Sequence, residues 1–106
     1  MGLFRRRKGA TESPQQPGEV LPRLGDVVAR QHVRVRGQVF KIKLRPSEGM
    51  PALEVTIIDD SGSAVIVWSG RRSVGGIGLG RRIVIEGVPM QSGKKLVFTN
   101  PAYELL

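Results

Sequence analysis

The 106-residue sequence predicts a small all-β domain, and three observations carry that expectation. Valine and isoleucine dominate the apolar positions, apolar and polar residues alternate over several short runs, and Gly, Pro, Asp and Ser cluster between those runs. β-Branched side chains on a period of two suit a pleated, half-buried surface, and the residues between the runs supply turns. The length leaves room for one modest core and a tail but not for a second domain. Three Phe, one Trp and one Tyr are the only aromatic residues, so aliphatic side chains must build the interior.

The first strand is read from "VRVRGQVFKIKLRP", beginning at Val33. Val33, Val35 and Val39 occupy one phase, with Arg34, Arg36 and Gln38 on the other. At Val39-Phe40 the phase slips, because Phe40, Ile42 and Leu44 then alternate with Lys41, Lys43 and Arg45. A bulge or a strong bend near Gly37 would produce that slip. "PSEGMP" turns the chain, and Leu53, Val55 and Ile57 form one phase of a second strand. Asp59-Asp60-Ser61-Gly62 closes a hairpin with residues suited to a tight reversal.

Ala64 to Trp68 makes the third strand. Ala64, Ile66 and Trp68 share one face and Val65 and Val67 the other, so both faces are apolar and periodicity does not choose the side of Trp68. In "GRRSVGGIGLGRR", the glycines between Gly75 and Gly80 rule out a stable long helix and read as a connection. They lack the lysine and the strand-to-helix context of a phosphate-binding loop. Ile83 to Ile85 forms a fourth strand ending at Gly87, and after a Ser92-Gly93 turn Leu96 to Phe98 forms a fifth, running toward Asn100-Pro101-Ala102-Tyr103. Ahead of the strands, "VLPRLGDVVARQH" offers one helical turn or an extended lead-in that plugs the domain, since Pro22 and Gly25 oppose a long helix.

Residues 1–19 read differently. Arg5 to Lys8 form a basic cluster, followed by Gly, Pro, Ser and Gln without apolar periodicity, which predicts a flexible, disordered basic arm ahead of a domain over 20–106. Leu3 and Phe4 are too few for a signal-peptide core, and Arg6 stands where a myristoylation motif wants Ser or Thr. No stretch approaches the length of a membrane span.

Seventeen Lys and Arg against nine Asp and Glu give a net charge of +8. Residues 1–32 carry six basic and three acidic side chains, and 33–106 carry eleven and six, so the surplus persists in the folded part. Such a balance favours anionic partners: nucleic acid, an anionic membrane surface or an acidic protein. With no cysteine there is no disulfide framework or thiolate chemistry, which fits an intracellular, cytoplasmic setting. The single histidine, His32, has no second ligand or triad partner tied to it by motif, and Asp59 and Asp60 are accounted for by turn chemistry. Neither catalysis nor a metal or organic cofactor is expected.

The ordered set "VRVRGQV", "LEVTIIDDSGSAVIVW", "GLGRRIVIEGV" and "KKLVFTNPAYEL" resembles OB-fold domains, five-stranded Greek-key barrels, over Val33 to Leu105. It is similar to the wedge domain of the branch-migration helicase RecG and to anticodon-type OB domains of some aminoacyl-tRNA synthetases. It is also similar to small stand-alone OB proteins of high-GC Gram-positive bacteria. The resemblance implies a nucleic-acid-binding protein without enzymatic activity, acting on single-stranded or branched DNA, or RNA, through phosphate contacts of low sequence specificity. A protein-interaction role for the barrel and attachment of the arm to an anionic membrane are the alternatives.

The candidate contacts are Arg34 and Arg36 on the first strand; Lys41, Lys43 and Arg45 leading into the first hairpin loop; Arg71 and Arg72 after the third strand; and Lys94 and Lys95 in the last hairpin. Arginine would bind phosphates or stack on bases and lysine would act as a point charge. Trp68 is the remaining candidate. The resemblance favours a buried or rim position for it over a fully exposed stacking platform, and it assigns Phe40, Phe98 and Tyr103 to the core or the barrel closure.

Overall fold

The computed structural model describes residues 20–46 and 49–106. The basic arm expected over residues 1–19 lies outside them. The described residues are all-β: seven strands and a single 3-10 turn, Leu24–Asp26. The strands are β1 (Val33–Arg45), β2 (Ala52–Ile58), β3 (Ser63–Ser69), β4 (Arg82–Gly87), β5 (Met90–Ser92), β6 (Lys95–Thr99) and β7 (Ala102–Leu105). They join in one sheet of order β5-β6-β3-β2-β1-β4-β7, whose hydrogen-bond ladder does not close into a barrel.

Seven strands replace the five expected, and two prolines account for the difference. Between β4 and β5 stands Val88-Pro89; between β6 and β7 stands Asn100-Pro101. Proline has no N–H to give a ladder, so each pair ends the strand before it, and the short β5 and β7 that follow are the two strands not expected. Asn100 adds a left-handed backbone, φ 50°. The interruptions face each other: a Cβ on Gly87 would stand 3.4 Å from Cβ of Pro101. All pairings are antiparallel except β3 with β6, which run parallel through Val65 to Val97, Ile66 to Phe98 and Val67 to Thr99.

The long first strand divides its partners as its phase slip implied. Val33 to Gln38 pair with β4, Gln38 to Arg45 pair with β2, and the register shifts between Val39 and Lys41. Phe40 is the extra residue, which sets Val39, Phe40, Ile42 and Leu44 on the inner phase and Lys41, Lys43 and Arg45 on the outer.

The core lies on the inner face, built by Val35, Val39, Leu53, Val55, Ile57, Ala64, Ile66, Trp68, Ile83, Ile85 and Phe98, with Leu24 and Val74 packed in from the lead-in and the glycine-rich connection. Leu24 arrives there because the 3-10 turn is pinned from outside. Its N–H donates to Asp59 Oδ2 at 2.9 Å, and the Gly25 N–H donates to Ser61 Oγ at 2.8 Å. The helical-turn option for this segment is therefore the one the chain adopts, and Leu24 is the plug. Phe40 departs from its expected core position. It is 63% exposed, because among the described residues the pairing on the β4 side of β1 ends at Val39.

Candidate nucleic-acid interface

Residues directly opposite each other in a ladder share a face, so the pairings sort the candidate contacts. On the outward face of β1, β2, β3 and β6, Lys41 is level with Thr56, Val65 and Val97, and Lys43 with Glu54, Val67 and Thr99. Lys95 belongs to the same phase of β6 as Val97, one residue pair back toward the β5–β6 turn, with Lys94 in that turn. Arg71 and Arg72 follow Ser69, where β3 ends. Strand spacing of about 4.8 Å puts the backbones of β1 and β6 roughly 14 Å apart. Thr56, Val65, Val67, Val97 and Thr99 thus form a floor interrupted by one carboxylate, Glu54, and cations stand along its margins.

Among the described residues, Arg36, Lys41, Lys43, Arg71, Arg72, Lys94 and Lys95 make no ion pair with a carboxylate. Two other candidates are committed within the fold. Arg34 Nη2 donates to Glu104 Oε1 at 2.9 Å while Nη1 stands 3.6 Å from Glu86 Oε1, tying β1 to both β4 and β7. Arg45 Nη1 donates to Glu54 Oε1 at 2.7 Å across the β1–β2 hairpin. His32 belongs to the first cluster, its Nε2 3.2 Å from Glu86 Oε2.

Trp68 is in the core, 4% exposed, opposite Leu53 on the inner face. A ring so covered has no face to offer a base, so Trp68 leaves the set of nucleic-acid contacts. Tyr103, 38% exposed, packs against it at the rim and donates its hydroxyl hydrogen to the Gly75 carbonyl at 3.3 Å, while Phe98 is fully buried. The outward floor therefore carries no aromatic platform, and stacking has little part in what the face can do.

A depression of about 520 Å³ opens beside this face, between the lead-in and the β1–β4 junction, lined in part by Arg23, Arg36, Gln38, Asp59, Asp60 and Arg82. Its charges are mixed. Arg23 lies 3.5 Å from Asp60. Asp59 is consumed by the turn: Oδ1 accepts from the Ser61 N–H at 2.7 Å, the Ser61 hydroxyl at 2.6 Å and the Gly62 N–H at 3.0 Å, and Oδ2 accepts from Leu24. Burial alone would raise the Asp59 pKa, but these donors outweigh it and hold the carboxyl below the ordinary aspartate value. Arg36 and Arg82 remain as guanidinium groups at its β-sheet side. From the sequence, Arg81 and Arg82 read as a strand-opening pair covering a barrel end rather than as contacts; the register Gln38 to Arg82 brings Arg82 beside Arg36.

Among the described residues, no group of three or more His, Asp or Glu is gathered as a metal site would require, and no helix is long and apolar enough to cross a membrane. No protein-family model matches the chain, and no curated protein matches it either.

Proposed function

We propose that the protein binds single-stranded or branched nucleic acid through its phosphates, with low sequence preference, on the outward face of β1, β2, β3 and β6. Lys41, Lys43, Arg71, Arg72 and Lys95, which have no carboxylate partner among the described residues, surround a floor of Thr56, Val65, Val67, Val97 and Thr99 whose one carboxylate, Glu54, is paired with Arg45, and this arrangement carries the reading. Contacts to phosphate position a strand without reading its bases, and a floor of small side chains without rings gives bases little to stack on. Arg36 and Arg82 extend the cationic surface past the β1 bend.

Taking β4 with β5, and β6 with β7, as two interrupted strands gives a five-strand order with β1 shared between β2 and the last hairpin. That order and the parallel β3–β6 pair support an OB-type Greek key.

A titration of the full chain against labelled single-stranded DNA, duplex DNA, RNA and anionic vesicles tests the function. Single-strand affinity should fall with salt by a slope of about 0.7 per phosphate contact. Replacing Lys41, Lys43, Arg71 and Arg72 together by Gln should remove the preference for single strands while the fold persists. Binding unchanged in that variant, or confined to vesicles, overturns the proposal.

A further inference from the structure

Among the described residues, β1 past its bulge has a partner on one edge only. β2 pairs with it from Gln38 to Arg45, whereas the ladder to β4 stops at Gln38, and the Gly80-Arg81 backbone extends it only as far as Val39. Along the uncovered edge the inner phase shows Phe40 at 63%, Ile42 at 36% and Leu44 at 47% exposure. The outer phase shows Lys41 and Lys43, neither paired with a carboxylate among the described residues. An edge strand that is apolar on one face and cationic on the other is a template for an added strand.

We propose that this edge, residues 40–45, takes up an extended protein segment by strand addition, and that the segment alternates apolar with acidic residues. Backbone hydrogen bonds would supply the pairing. Apolar side chains of the segment would cover Phe40, Ile42 and Leu44, while its carboxylates would lie beside Lys41 and Lys43. Charge decides between occupants. Antiparallel pairing with a second copy sets Lys41, Lys43 and Arg45 opposite one another, and like charges directly opposed across a ladder repel. An acidic segment meets the opposite condition, since the same lysines attract it. This inference goes beyond nucleic-acid binding: it adds the backbone edge and inner phase of β1 and shares only Lys41 and Lys43 with the nucleic-acid face.

The test uses synthetic peptides alternating Val or Leu with Glu, added to the isotope-labelled full chain. Binding should shift the amide resonances of residues 40–45 and slow their hydrogen exchange. A peptide N-methylated on alternate residues, which cannot complete a ladder, should bind about tenfold more weakly or worse. Ile42→Ser with Leu44→Ser should weaken the peptide by a similar factor and leave oligonucleotide affinity unchanged, which separates this proposal from the nucleic-acid reading. Lys41→Glu with Lys43→Glu should reverse the preference from Glu-containing to Lys-containing peptides. Equal binding of the N-methylated peptide, amides of 40–45 that do not respond, or a dimer formed through this edge in the peptide's absence would each overturn it.

Discussion

The rings of Trp68 and Tyr103 meet edge to face, centroids 5.4 Å apart and planes inclined by 70°. Tyr103 sits opposite Ile85 on β7 and Trp68 opposite Leu53 on β3, so the contact joins two strands that share no hydrogen bonds. Native Trp68 fluorescence should accordingly be blue-shifted, resist iodide, and stay unchanged on adding oligonucleotide. Trp68→Ala should cost about 3 to 5 kcal/mol by chemical denaturation. Emission quenched by oligonucleotide, with stability unaltered in the variant, would place the ring outside the core.

Asp59 makes stability depend on pH in a predictable direction. Its folded pKa lies below the ordinary value of 3.8, so its contribution is fully present above that value and is lost as the pH falls through the lower folded one. Denaturation midpoints of wild type and Asp59→Asn, compared from pH 7 to pH 2, should converge at the acid end. A difference that stays constant over that range would show that the carboxylate charge has no part in it.

Arg34 and Lys43 should separate cleanly although both are basic residues of β1. Arg34→Met leaves Glu86 and Glu104 without their guanidinium and should destabilise the fold by about 1 to 3 kcal/mol, with the salt slope of oligonucleotide binding unchanged. Lys43→Gln should do the reverse, lowering the slope by about 0.7 if one phosphate contact is lost and leaving the denaturation midpoint in place. Paired salt titrations and urea curves read both.

Two glycines give a contrast in packing. A Cβ on Gly37 would stand 3.0 Å from Cβ and Cδ1 of the buried Ile57, so Gly37→Ala should destabilise by about 1 to 3 kcal/mol. At Gly75 an added Cβ meets nothing within 4 Å, and Gly75→Ala should be neutral or stabilising by up to about 1 kcal/mol. Thermal melts of the two variants check the pair.

Period-two alternation made the strands legible, and the slip at Val39-Phe40 gave away the bulge before any register was known. It could not place Trp68, because both phases of Ala64 to Trp68 are apolar, and that choice is made by which strand packs over β3. Nor could it show that Arg34 is bound to Glu104, 70 residues away, or that Phe40 runs off the end of the core. Those outcomes depend on which strands lie side by side. Alternation also missed β5 and β7, since Met90–Ser92 and Ala102–Leu105 are only three and four residues long, too short for a period of two to register.

The parallel pairing of β3 with β6 has a consequence for how the protein is made. The meander of β1, β2 and β3 leaves the ribosome first, with its β3 flank and the early half of β1 both unsatisfied. Residues 82–105 then supply β6 to one flank and β4 to the other, so a single late hairpin latches both sides of the sheet. Until it emerges, the nascent half-sheet has open edges of the kind that chaperones hold and that aggregate when left alone. A ribosome stalled before that hairpin would therefore display an unfinished sheet, and its release would let both flanks close in one cooperative event.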